Sequence, residues 1–193
     1  MLFTVLKNTD PGQLPKKIFS KLKEGTQFNF EESRNNFCIF TFDEIKGIVI
    51  TYSEYQYFFL NTFNPTKISE FEEYYFKFVN DQIKRIKFNF DIFKRQIVEK
   101  KYKIIEIEAF TGDPICEEIL ISGADLEKSK EFQDIIHNGQ IKKVVLYFQN
   151  LNQTNEGFIL KIFSEGKLSI IPDFDFDYLN EFFKYLLGLI ISV

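Results

Sequence analysis

The chain predicts an α+β fold in which mainly antiparallel sheets pack against helices. Short runs with large apolar residues at alternate positions, bounded by turn residues, read as strands. Between them lie segments whose apolar residues recur three and four apart, the helical period. The apolar share of 45% and charged share of 27% are ordinary for a globular protein, and every long stretch carries large apolar residues. At 193 residues the chain makes one large domain or two small ones and needs no disulfide or metal to fold.

Residues 2–6 read as a short buried strand, followed by a turn at Asp10-Pro11-Gly12. Leu14, Ile18, Phe19 and Leu22 then keep helical spacing, with Pro15 in the first turn and Gly25 placed to cap the C-terminus. Phe37, Ile39 and Phe42, then Ile48, Ile50 and Tyr52, predict a hairpin closing at Asp43–Gly47, and Tyr55 to Phe63 continues the strand pattern. Pro65 ends it. Ser69 is the expected cap of a helix from about Glu70 to Gln82, with Phe71, Tyr75, Phe78 and Val79 on one face.

Residues 83–101 admit two readings. One is a short strand to about Phe90 and a helix from Ile92 to Lys101 capped by Asp91; the other is a continuous helix over 70–101. Lys103 to Phe110 reads as a strand, Gly112-Asp113-Pro114 as a turn, and Glu118 to Ser122 as a strand. Asp125 to His137 predicts an amphipathic helix stopped by Asn138-Gly139. Ile141–Phe148, Gly157–Phe163 and Leu168–Ile171 are three successive strands, the last pair turned by Gly166. Asp173 to Ile190 closes the chain as a very apolar helix.

The order helix, three strands, helix occurs in residues 1–83 and again in 84–193, the two expected α+β halves. Gly25 parallels Gly139, Ser53-Glu54 parallels Ser164-Glu165, and Pro65 parallels Pro172. The pattern admits two similar halves related by an internal duplication, or one compact unit.

Composition argues against reading every aromatic as functional. Phenylalanine occurs 25 times and tryptophan never, while isoleucine, lysine and asparagine are also abundant. These residues have A/T-rich codons, so much of the phenylalanine reports genome bias and fills the core. Cys38 and Cys116 sit in apolar, strand-like runs without a CxxC partner and read as buried free thiols. The N-terminal stretch lacks a signal-peptide core, and the apolar run from Tyr185 to Val193 is too short to span a bilayer, so a cytoplasmic location without a membrane span is expected.

Charge gives the sharpest local signal. Lys84, Arg85, Lys87, Lys94, Arg95, Lys100, Lys101 and Lys103 face only Asp91 and Glu99, so residues 84–103 carry +6 in a chain of net charge −4. Such a segment attracts phosphates or an acidic partner. Phe88, Phe90 and Phe93 are interleaved with the charges and suit base stacking, although alternation equally suits a sheet or helix with a solvated basic face. Only two of the eight cations are arginine, which is few for bidentate phosphate recognition.

Acidic candidates are weaker. Asp173, Asp175 and Asp177 can ligate a hard cation but also suit a helix start. Glu106 and Glu108 share one strand face, which suits acid–base or metal chemistry as well as a solvated surface. His137 is the single histidine, so no multi-histidine zinc site exists, and its place at a helix end suits capping. Nucleotide-binding glycine motifs and a Gly-x-Ser-x-Gly elbow are absent, leaving no catalytic residue, metal or cofactor to assign. The apolar C-terminal helix demands burial, in its own core or against another subunit.

Three functions follow in order of support. First is a non-catalytic interaction subunit or accessory protein of a larger assembly, prokaryotic or related to a phage or mobile element, with another subunit or a second copy as partner. Second is a nucleic-acid-binding component using residues 84–103. Third is a metal-dependent nuclease or hydrolase.

Overall fold

A computed structural model describes residues 1–10, 12, 15–34, 37–90, 102–148, 157–171, 182–183 and 186–188. They form an α+β protein whose strand pairings within each unit are antiparallel. The chain divides into two compact units, one built on residues 2–86 with a returning segment over 174–188, the other on residues 87–173.

The first unit contains strand β1 (Leu2–Asn8), helix α1 (Pro15–Leu22), strands β2 (Phe28–Arg34), β3 (Phe37–Phe42), β4 (Ile45–Tyr52) and β5 (Tyr55–Leu60), helix α2 (Pro65–Val79) and strand β6 (Ile83–Arg85). Strands β2 to β5 form a meander, and β1 pairs with β5 and, near its end, with β6. Both faces of its central strands are buried. On one, Leu6, Phe40, Phe42, Val49 and Phe58 meet Ile18 and Leu22 of α1 and Ile68, Phe71 and Tyr75 of α2. Phe71 lies at the centre, with ring centroids 5.7, 5.2 and 5.6 Å from those of Phe40, Phe42 and Phe58. On the other face, Phe3 and Phe59 pack on Phe183 at 5.2 and 4.1 Å, and Phe183, Leu186 and Leu187 are fully buried. Strands buried on both faces lose the in–out alternation, so β3 to β5 read as almost continuous apolar runs. Gly47 sits opposite Phe40, whose ring occupies the space a side chain would take.

Several local expectations change. Strand β2 was not anticipated, because Glu31, Glu32 and Arg34 interrupt its apolar pattern and its register slips between Phe30 and Glu32. The β3–β4 hairpin turns at Asp43 and Glu44 alone, with Asp43 at φ 49°, so Ile45 to Gly47 belong to the strand. Helix α2 starts earlier than Ser69: Asn64 accepts from the Thr66 N–H at 3.0 Å, and Pro65 fills the first helical position. It ends at Asn80, which adopts the left-handed conformation at φ 58°. That stop excludes a continuous helix over 70–101, and the following strand ends at Arg85 rather than near Phe90. The proposed helix from Ile92 to Lys101 lies outside the described residues. Gly25 does not take the left-handed cap conformation; it leaves room for the Tyr74 side chain, whose hydroxyl donates to the Leu22 carbonyl at 2.7 Å.

The second unit contains β7 (Tyr102–Phe110), β8 (Glu118–Ser122), a 3₁₀ turn (Leu126–Lys128), helix α3 (Lys130–Asn138), β9 (Gln140–Phe148), β10 (Phe158–Phe163) and β11 (Lys167–Ile171). Its strands lie in the order β11-β10-β9-β7-β8. Ile107, Ala109, Val144, Leu146, Leu160 and Ile162 are buried along it, as are Phe132 and Ile135 of α3. The helix expected from Asp125 to His137 is broken, because the Ser129 hydroxyl accepts from the Phe132 N–H at 3.0 Å and starts α3 there. Among the described residues four strands separate α1 from α2, whereas three follow α3.

Candidate functional site

Strand β7 shows how the second unit builds an ionic surface. Tyr102 and Ile104 are buried, then the phase shifts and Ile107 and Ala109 are buried instead. A register slip between Ile104 and Glu106 accounts for the shift. Glu106, Glu108 and Phe110 consequently share the face opposite the buried residues.

A second slip, between Glu108 and Ala109, leaves Lys142 of β9 without an opposite residue, while Glu108 faces Lys143. Two consecutive lysines normally point to opposite faces of a strand. Here the bulge brings both to Glu108. Lys143 lies 2.7 Å from Glu108 and 2.9 Å from Glu106, and Lys142 lies 3.2 Å from Glu108 and 2.9 Å from Glu118. The Lys142 ammonium also stands 4.5 Å from the Phe110 ring centre. The Lys143 hydrogen bond, assisted by Lys142, holds the Glu108 carboxyl below the usual glutamate range. The same carboxylates hold both lysines above theirs, Lys142 chiefly through Glu118 and Lys143 chiefly through Glu108. Glu106 and Glu108 are therefore occupied as ion-pair partners. A metal would have to displace two ammonium groups, and among the described residues no group of three or more His, Cys, Asp or Glu is arranged to hold one.

Beyond this network lies β8. It pairs only with β7 among the described strands, so its outer edge is open among them. The Thr111 N–H donates to the Glu117 carbonyl at 3.1 Å, and the Gly123 N–H donates to the Ile105 carbonyl at 3.1 Å. Both pairs continue the β7–β8 register, so odd-numbered residues of β8 direct their backbone groups at β7. Glu118, Leu120 and Ser122 direct theirs outward. Leu120 is 58% exposed and Phe110 on the same face 40%. The turn before β8 is held by the Asp113 carboxylate, which accepts from the Ile115 N–H at 2.8 Å and leaves Ile115 94% exposed. Cys116 is an exposed free thiol rather than the buried one expected, because it lies in this turn and not in a strand; Cys38 is buried.

The described members of the basic segment are dispersed. Lys84 and Arg85 belong to β6 of the first unit, where Arg85 pairs with Glu72 at 3.2 Å. Lys87 and Lys103 belong to the second unit, and both are exposed. Lys87 borders a groove of about 530 Å³ that Gln140 also lines. Lys103 faces Tyr147, at the opposite end of β9 and about 23 Å away at a strand's rise per residue. Lys94, Arg95, Lys100 and Lys101 lie outside the described residues. Phe88 and Phe90 are each only 5% exposed, which removes them as stacking platforms; Phe93 lies outside the described residues.

His137 is in the last turn of α3, where Nδ1 donates to the Gln133 carbonyl at 2.7 Å. Asp173, Asp175 and Asp177 lie outside the described residues. In the first unit the buried Asn8 and Gln56 hydrogen-bond each other, and burial pushes the neighbouring Tyr75 phenol far up. Among the described residues no helix is long and apolar enough to cross a membrane.

No family model matches the chain, and no curated protein is detectably similar to it.

Proposed function

We propose that this chain is a non-catalytic interaction subunit of a larger protein assembly, and that it docks through the outer edge of β8. One observation carries the reading: β8 combines outward-directed backbone groups with an exposed Leu120 in an uncharged Ile119-Leu120-Ile121 centre. Soluble proteins usually guard such an edge with lysine, proline or a bulge, and an unguarded one accepts a strand from a partner. The ion pairs beside it support the same reading. They neutralise the acids that acid–base or metal chemistry would need and leave Phe110 and Leu120 as the exposed apolar groups of that corner.

The experiment is gel filtration of the tagged chain in extract of its source cells. The wild type should elute well above its own 23.0 kDa, and Leu120→Lys should elute as the isolated chain. A Leu120→Lys protein that keeps the same large complex would remove β8 from the interface.

A further inference from the structure

The partner strand that fits β8 best is β8 itself. We infer that two copies of the chain pair antiparallel through this edge, across a two-fold axis at Leu120. The inference rests on the interaction reading above and names its partner.

The geometry follows from the direction of the backbone. Glu118, Leu120 and Ser122 point outward, and in an antiparallel ladder such residues must face one another to exchange both N–H···O=C bonds. Centring the axis on Leu120 sets Leu120 opposite its own copy and Glu118 opposite Ser122, so every outward residue finds an outward partner. Centring on Glu118 opposes two carboxylates. Centring on Ile119 pairs Glu118 with Leu120 and leaves Ser122 beyond the strand.

Charge agrees with register. The strand reads Glu-Ile-Leu-Ile-Ser, so in the Leu120-centred register Ile119 meets Ile121 and no like charges meet. Glu118 already has Lys142 at 2.9 Å, so its carboxylate enters the joined sheet with an ion-pair partner of its own. The two Leu120 side chains, each 58% exposed in the single chain, cover one another at the axis. A patch that meets itself is what a closed two-fold dimer requires.

Sedimentation equilibrium of the purified full chain tests this. The wild type should approach twice its 23.0 kDa mass as concentration rises. Leu120→Lys and Leu120→Glu should each stay monomeric, because like charges then meet at the axis. Mixing the two should restore the dimer as a heterodimer, which also shows that both variants fold. Asn29→Lys on β2, the edge strand of the other unit, should leave the wild-type behaviour unchanged. A wild type that stays monomeric, a dimer that survives Leu120→Lys, or a mixture that fails to recombine overturns the inference. A monomeric wild type whose complex in extract is still lost on Leu120→Lys would leave the interaction reading standing with a different partner strand.

Discussion

The two edge strands β2 and β8 are built on opposite terms. β2 carries Glu31, Glu32 and Arg34, bends at a register slip, and has Glu31 tied to Lys46 at 3.0 Å. Charge and a bulge are the usual means of keeping an edge from pairing. β8 has neither within Ile119-Leu120-Ile121, and the bulges between β7 and β9 gather Glu106, Glu108, Lys142 and Lys143 instead. The interiors differ in parallel. The first unit buries both faces of its central strands under aromatic side chains, while the second leaves an ionic face with exposed Phe110 and Leu120 at its border. Protection and burial thus give way together at β8, and not where phenylalanine is most abundant.

The largest effect should come from the protected interior. Phe71→Ala removes the ring on which Phe40, Phe42 and Phe58 converge, and unfolding by denaturant should show a loss of about 3–5 kcal/mol. A loss below about 1 kcal/mol would mean that the first unit is not held by this aromatic centre.

A smaller effect comes from the ionic face. Glu108→Gln should cost about 0.5–1 kcal/mol at neutral pH, because the pairs are partly solvated and Lys142 and Lys143 keep Glu118 and Glu106. The Glu108 carboxyl is held low in the folded chain, so its contribution is present above the unfolded-state value and lost as pH falls through the folded one. The lysines are held high, so theirs is complete below their unfolded-state value and lost as pH rises through the folded one. Wild type and variant should thus converge in acid denaturation and differ most across the neutral range. A difference that persists below the carboxylate range would point to packing rather than charge.

The sequence made the antiparallel class visible because local patterns encode it. Alternation in residues 103–110 and 141–148, Pro65, and the turn at Gly166 each act within a few residues. Features that depend on competition between neighbours were hidden. Asn64 outcompetes Ser69 because proline follows it at the first helical position, and Asn80 ends α2 although the three-four spacing runs on. The ionic face was half legible: Glu106 and Glu108 could be placed on one strand face, but only the slip at Glu108 brings adjacent lysines to the same carboxylate. The open edge was not legible at all. Its existence depends on β9, encoded after β8, taking the far side of β7. The charge run at 84–103 is continuous in sequence, but Lys84 and Arg85 belong to one unit and Lys87 and Lys103 to the other.

Cysteine trapping reads whether β8 meets its own copy at Leu120. In a Cys116→Ser background, Leu120→Cys should oxidise to a covalent dimer, because hydrogen-bonded antiparallel partners sit about 5.5 Å apart at Cα, within disulfide reach. Glu118→Cys in the same background should stay monomeric, because the two copies of that residue lie about 13 Å apart along the paired strands. Absence of a covalent dimer at position 120, or equal trapping at 118 and 120, would contradict the account.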